Sequence, residues 1–111
     1  MYARLSSYEL PAHRADEAEA AFGEALAQVS ECPGFVDGYY LASCEGERVL
    51  TFTLWDTRHE MEASRVKASR VRSEAAHKVD GGVVSTEEFR VDPVRGGASL
   101  ERLRINVNGS G

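Results

Sequence analysis

One run of seven residues, 49–55, constrains the fold more than any other part of the sequence. It reads Val-Leu-Thr-Phe-Thr-Leu-Trp, and its β-branched and aromatic composition predicts a strand. Bulky side chains occupy both alternating faces of that strand, whereas a strand buried on one side only alternates apolar with polar residues. We therefore expect both faces to be covered by other parts of the protein.

The other predicted elements are too few to cover both faces within one chain. Periodicity and turn signals predict the order strand, helix, strand, strand, helix, strand, with strands at 2–9, 35–44, 49–55 and 83–91. This order is typical of an α+β ferredoxin-like βαββαβ domain with an antiparallel sheet, here spanning residues 1–91. Two helices cover one face of such a sheet, so we expect the other face to pack against a second copy of the chain.

Both helices have clear sequence signals. The first follows Pro11 and ends at Cys32-Pro33-Gly34, and its apolar stripe recurs at helical spacing: Phe22, Ala25, Leu26 and Val29. The second begins with Thr57-Arg58-His59-Glu60, which fits a capping box, and is predicted to run, with a possible bend, to Val79. Six basic residues between Arg58 and Lys78 predict a solvated face on this helix.

Alternation divides the run 49–55 between two roles. We assign the apolar side to a homodimer interface: Leu50, Phe52 and Leu54. We assign the side that carries the hydroxyls to a small-molecule pocket between sheet and helices: Thr51, Thr53 and Trp55. For Trp55, packing in the core is the alternative.

Net charge and the lack of targeting signals limit the classes of partner and the compartment that we expect. Eighteen acidic and thirteen basic residues give a net charge of −5, which argues against nucleic acid or an anionic membrane as the main partner. The sequence has no apolar leader and no run of about 18 apolar residues, so a cytoplasmic protein is expected. Cys32 and Cys44 lie at opposite ends of a predicted strand and are expected to be free thiols.

Residues 92–111 are expected to form a tail. The tail begins with a linker-like segment, and apolar and polar residues alternate weakly from 103 to 108. We consider an extra strand exchanged with the partner subunit, and an unstructured tail is the alternative.

Two short motifs carry a resemblance to a known family. Pro33-Gly34-Phe35 at the entry to the second strand, and Leu54-Trp55-Asp56-Thr57 before the second helix, resemble the antibiotic biosynthesis monooxygenase family of dimeric α+β barrel proteins. The resemblance covers residues 1 to about 91. It implies either a cofactor-free oxygenase of polycyclic phenols from polyketide pathways, or a heme-degrading enzyme. In the cofactor-free members a phenolate substrate itself passes an electron to oxygen, and the protein binds, deprotonates and shields it.

The resemblance also implies candidate site residues. Trp55 is the candidate catalytic residue, while Thr51 and Met61 occupy the places of an Asn and a Tyr of the cofactor-free enzymes. The predicted substrate-binding set is Thr51, Thr53, Met61, Arg65 near the pocket entrance, Ser7 and Tyr40. For Arg4, Tyr8, and Glu87 or Glu88, alternation does not choose between pocket and interface.

Heme is the alternative cofactor. His77 resembles the proximal histidine of heme-degrading members, but helical geometry turns it away from the face shared by Ala68, Val71, Ala75 and Val79. The histidines are scattered, and no cluster has metal-ligand spacing, so no metal site is expected.

The sequence therefore predicts a homodimeric, cofactor-independent monooxygenase, or a related cyclase or isomerase, acting on an aromatic or polyketide-like molecule. A heme-binding monooxygenase is one alternative. A non-catalytic dimer that binds a small molecule or serves a structural role is the other.

Overall fold

The structure is a computed structural model that describes residues 1–45 and 48–92. Its elements are β1 (Tyr2–Glu9), α1 (Ala15–Val29) after a short 3-10 turn at Ala12–Arg14, β2 (Phe35–Ala42), β3 (Arg48–Trp55), α2 (Arg58–Ala63), α3 (Arg65–Lys78) and β4 (Gly82–Arg90). The strands form one antiparallel sheet in the order β2-β3-β1-β4. The predicted ferredoxin-like α+β fold is confirmed.

Two further features of the structure bear on the sequence analysis, the state of the cysteines and the character of the helices. Cys32 is half-buried and Cys44 is exposed, and both are free thiols, as predicted. No helix in the described ranges is long and apolar enough to cross a membrane. The strand predicted within the tail lies outside the described residues.

The second helical segment consists of two helices that meet at Ser64. The Ser64 hydroxyl donates to the carbonyl of Met61 at 2.7 Å and accepts a hydrogen bond from Arg4 Nη1 at 3.1 Å. A serine that binds the carbonyl of the preceding turn competes with the helical ladder and bends the helix. The bend therefore gives the buried Arg4 an acceptor.

The predicted cap of α2 is present in altered form. The Thr57 hydroxyl accepts from the backbone N–H of Glu60 at 3.1 Å, as a capping box requires. The Glu60 carboxylate, however, accepts from the Thr57 hydroxyl at 3.0 Å instead of reaching the Thr57 backbone. The cap starts the helix immediately after Trp55 and thereby holds the end of β3 against α2.

The helices cover one face of the sheet, and this face forms the core. On β3 it carries Val49, Thr51, Thr53 and Trp55, all of them buried. Directly opposite on β1 lie Tyr8, Ser6, Arg4 and Tyr2, and paired residues of antiparallel strands share a face. The face between sheet and helices is therefore unusually polar for a core.

The other face of the sheet, here called the open sheet face, is mainly apolar. Its apolar members are Ala3, Leu5, Tyr39, Leu41, Leu50, Phe52, Leu54 and Phe89, and its polar members, Ser7, Asp37, Ser85 and Glu87, lie mostly toward β4. Leu5, Phe52 and Tyr39 form one row across β1, β3 and β2. Tyr39 and Leu41 are each 46% exposed, so no described part of the chain covers this face.

Gly34 is a position where a side chain is expected to be costly. Its φ of +83° lies in the left-handed region, and a Cβ there would collide with the Glu60 side chain. We expect Gly34→Ala to lower the free energy of unfolding by about 1–2 kcal/mol, measured by urea denaturation. Gly23→Ala is the matched control: Gly23 lies within α1 with open space around it, so alanine should be neutral or stabilising. An unfolding free energy of Gly34→Ala equal to that of the wild type would contradict this interpretation of the turn.

Candidate functional site

A partly open cavity lies between the sheet and the helices α1 and α3. It encloses about 20 Å³, which is room for about one water molecule. One wall is apolar and is formed by Phe22, Ala25, Leu26, Val29 and Ala68. The remaining lining residues are polar: Arg4, Ser6, Tyr8, Thr51, Thr53 and Arg72. An apolar wall facing a few convergent polar groups is typical of a small-molecule site.

Hydroxyl groups form the floor of the cavity. The Tyr8 hydroxyl lies 2.8 Å from Thr51 Oγ1, and Trp55 Nε1 donates to Thr53 Oγ1 at 2.9 Å. Burial raises the pKa of Tyr8, and this effect outweighs the hydrogen bond from Thr51 and the nearby Arg72 charge, which lower it. Tyr8 is therefore a neutral phenol at physiological pH and can donate a hydrogen bond to a ligand.

Arg4 is a buried cation with a full set of partners. Its Nε and Nη2 donate to Glu88 Oε2 at 3.1 and 2.9 Å, and Nη2 also donates to the Met61 carbonyl at 2.7 Å. The guanidinium stacks over the Trp55 ring, 5.6 Å from its centroid. Arg4 thus ties β1 to β4 and to the bend between α2 and α3.

Glu88 is held between two arginines. Besides Arg4, it accepts from Arg65 Nε at 3.1 Å and from Arg65 Nη2. The hydrogen bond from Arg65, with further contributions from Arg4, keeps the pKa of Glu88 below its usual value despite partial burial. Glu88 is consequently an ionised structural carboxylate rather than a general base.

Arg72 differs from Arg4 in its lack of partners. Its Nε is buried without a hydrogen-bond partner among the described residues. Burial is the main cause that lowers the pKa of this guanidinium, and the Arg4 charge lowers it further. An arginine nevertheless stays protonated at neutral pH, so the cavity lining includes a half-buried cation with one unpaired buried donor.

The cavity includes some of the predicted pocket residues and excludes others. Thr51 and Thr53 line it, whereas Trp55 is fully buried behind Thr53 and packs edge-on against Phe35 at 5.5 Å. The prediction that Trp55 forms the pocket wall is not met at this cavity, since Trp55 is absent from the lining and its indole N–H is bonded to Thr53. Trp55 orients Thr53 through this hydrogen bond, and the Trp55 ring packs against the Arg4 guanidinium.

Ser7 and Tyr40 are not cavity residues either. Ser7 pairs with Leu50 on the open sheet face and accepts from Arg48 Nε at 3.1 Å, so Ser6 replaces it in the cavity. Tyr40 is half-buried at the edge of the core, with its ring 6.2 Å from that of Phe22. A shift of one residue moves a strand side chain to the opposite face, which explains the exchange of Ser7 for Ser6.

Met61 and Arg65 belong to a second, open groove beside Tyr2 and Glu88. Met61 is buried in the core, and Arg65 is exposed and bound to Glu88. The predicted role of Arg65 at the entrance of the pocket is therefore corrected, since it lies over the outer side of the Arg4–Glu88 pair.

The residues present do not fit a heme. His77 is exposed in the last turn of α3 and follows Arg72 by five residues, which turns it about 140° away from the cavity side of the helix. Within 1–45 and 48–92 no group of His, Cys, Asp or Glu is arranged to hold a metal ion.

Comparison with known proteins places the fold. The sequence matches no protein-family model and no curated protein. SnoaB, a cofactor-independent oxygenase from Streptomyces nogalater, shares 12% identity at a TM-score of 0.69, covering 86% of this chain and 96% of its own. A proposed antibiotic biosynthesis monooxygenase from Deinococcus radiodurans shares 9% identity at a TM-score of 0.69, covering 86% and 97%. A mutant of MhuD with two manganese protoporphyrins per active site shares 24% identity at a TM-score of 0.64, covering 86% and 99%. The chain therefore has the fold of the antibiotic biosynthesis monooxygenase proteins, as the sequence resemblance predicted.

Proposed function

We propose that the protein is a homodimeric, cofactor-independent oxygenase of a small aromatic molecule, which binds in the cavity between the sheet and α1 and α3. The observation that carries this proposal is the composition of that cavity. An apolar wall faces the hydroxyls of Tyr8, Thr51 and Thr53 and the guanidinium of Arg72. Such a lining suits an aromatic ring with polar oxygen substituents.

The proposed chemistry needs no redox group from the protein. In the overall reaction a ring methylene loses its two hydrogens, one oxygen atom of O₂ becomes the ketone oxygen, and the other leaves with both hydrogens as water. The substrate supplies all the electrons once a phenolic group is deprotonated. The protein's part is to bind the ring, stabilise the phenolate and limit access of water.

The cavity lining contains no carboxylate and no imidazole that could act as the base. A nearby guanidinium and a neutral phenol favour the ionised form of a bound phenol, because both donate to its oxygen. Arg72 and Tyr8 would therefore lower the substrate's own pKa, and the proton would pass to solvent through the open side of the cavity. This removes the requirement for a dedicated general base.

The cavity as it stands encloses only the space of a substituent. A fused-ring substrate would therefore displace side chains of the α1 wall. Leu26 is the member of that wall with the most freedom, since it is half-buried whereas Phe22, Ala25 and Val29 are buried. The proposed entry is accordingly along α1.

The homodimer is proposed through the open sheet face. The face is mainly apolar across β2, β3 and β1 and partly exposed, and a surface of this kind marks an interaction site. A second copy is the proposed occupant because equal faces related by a two-fold axis are self-complementary.

Oxygen consumption tests the proposed activity. We expect the protein to accelerate oxygen uptake with at least one member of a panel of anthrones, which carry the ring methylene, and Tyr8→Phe to lower kcat about tenfold or more through loss of one donor to the developing charge. Tyr2→Phe is the matched control, since Tyr2 lies at the other end of β1, outside the cavity lining. Absence of uptake with every compound would favour a non-catalytic dimer instead.

A further inference from the structure

The most unusual group in the molecule is the Arg72 guanidinium. It belongs to the cavity lining, and its buried Nε has no partner in the described part of the chain. Leaving a buried donor of a charged group unpaired destabilises a protein, so such groups are rare unless they have a role. A role in binding would account for this cost.

The surrounding charges increase the demand for a negative group. Arg4 is a second cation of the same lining, and it lowers the pKa of Arg72. The carboxylate closest to both is Glu88, which is already bound to Arg4 and Arg65. Arg4 is thus already paired, whereas Arg72 has no carboxylate partner among the described residues, and a bound anion would balance its charge.

The neighbouring donors suit an oxyanion. Tyr8 is fully buried and neutral, and its hydroxyl lies 2.8 Å from Thr51 Oγ1; when Thr51 donates in this contact, the Tyr8 O–H is free to donate to a ligand. A guanidinium presents parallel N–H groups that match the two oxygens of a carboxylate. The enclosed space of about 20 Å³ holds about one water molecule, so a bound carboxylate would displace side chains of the α1 wall as the aromatic ring does.

We propose that the ligand of this cavity is an aromatic acid, whose carboxylate binds the Arg72 guanidinium and whose ring hydroxyl reaches Tyr8. The proposal rests on the proposed function for the location of the site but not for the reaction. It narrows the substrate class from phenols in general to hydroxyaryl carboxylates. It also explains why a helix with an otherwise solvated basic face turns one arginine inward.

The test compares salicylate with salicylamide, which differ in charge and hardly in shape. We expect salicylate to bind the wild-type protein at least tenfold more tightly in calorimetric titration, with an affinity that falls as salt is added. Arg72→Met should abolish the preference for salicylate, and Arg72→Lys should retain part of it. Arg70→Met is the matched control, because Arg70 is exposed on the same helix and pairs with Glu74. Equal affinities for the two compounds, or a preference that survives Arg72→Met, would overturn the proposal.

A stability measurement separates a binding role from a structural one. In the absence of ligand, Arg72→Met should melt at the same temperature as the wild type or above it, because the substitution removes a half-buried charge and its unpaired Nε. A clear fall in melting temperature would show that Arg72 supports the fold instead.

The two proposals fail in different ways. If salicylate binds through Arg72 but no compound of the panel consumes oxygen, the aromatic-acid site stands and the oxygenase does not. If oxygen is consumed and salicylate shows no preference over salicylamide, the oxygenase stands and the aromatic-acid site does not.

Discussion

Replacing Phe52 with glutamate is expected to convert the protein from dimer to monomer at micromolar concentration. Phe52 lies in the middle row of the open sheet face, between Leu5 and Tyr39, and its ring centroid is 6.2 Å from that of Tyr39. A charged side chain at the centre of an apolar two-fold interface is repelled by the same side chain of the partner. It also loses its hydration when the interface forms. Such central substitutions cost several kcal/mol of binding, or about a thousandfold in the dissociation constant.

Sedimentation velocity measures this outcome directly. Val66→Glu is the matched control, because Val66 is 85% exposed on α3 and lies on the helix side of the molecule. It should leave the sedimentation coefficient unchanged. A wild-type protein that sediments as a monomer at the same concentration would refute the proposed dimer. A Phe52→Glu variant that stays dimeric would show that the interface lies on another surface.

Replacing Glu88 with leucine is expected to lower the free energy of unfolding by about 3 kcal/mol. Arg4 is almost completely buried, and Glu88 is the only carboxylate bound to it within the described chain. Removing one member of a buried pair leaves the other charge unpaired, which typically costs about 3–5 kcal/mol. We expect a loss at the lower end of this range because Arg4 keeps its hydrogen bonds to Met61 and Ser64 and because Glu88 is partly exposed.

Urea denaturation of the variant checks this value, with Glu74→Leu as the control. Glu74 forms a pair with Arg70 in which both side chains are more than half exposed, and such pairs contribute about 0–1 kcal/mol. The two variants should therefore differ by about 2 kcal/mol or more. Equal losses would mean that the Arg4–Glu88 pair contributes no more than a surface pair.

The same pair predicts a dependence on pH. The pKa of Glu88 is lower in the folded protein, so the pair stabilises fully above the unfolded pKa of about 4.3, and this contribution is lost as the pH falls through the folded value. The difference in unfolding free energy between wild type and Glu88→Leu should accordingly shrink below about pH 4. A difference that stays constant down to strongly acidic pH would contradict this assignment.

One cavity residue, Arg72, could have been predicted from the sequence by applying the period of an α-helix. Arg72 follows Ala68 and precedes Ala76 by four residues each, and both alanines are buried. Residues four apart share a face of a helix, so Arg72 belongs to an inward stripe. The prediction of a wholly solvated basic face missed it because the six basic residues were treated together.

The strand side of the cavity could not be predicted in this way. Alternation states that Ser6 and Ser7 face opposite sides, but not which of them faces the helices. That choice follows from the register that pairs Ser6 with Thr51 and Ser7 with Leu50. Register depends on contacts between residues more than 40 positions apart, for which the local sequence has no signal.

The sequence by itself determined the order of the elements, the apolar stripe of α1 and the division of β3 into two faces, because these features depend only on local periodicity. The tertiary structure decided what those faces contain. It placed Trp55 behind Thr53 rather than at the cavity, and it bound Glu88 to Arg4 and Arg65. It also brought Tyr8 and Arg72 to one site. Such groupings arise where distant segments meet, since burial and the charges nearby, rather than residue type, set what a polar side chain can do.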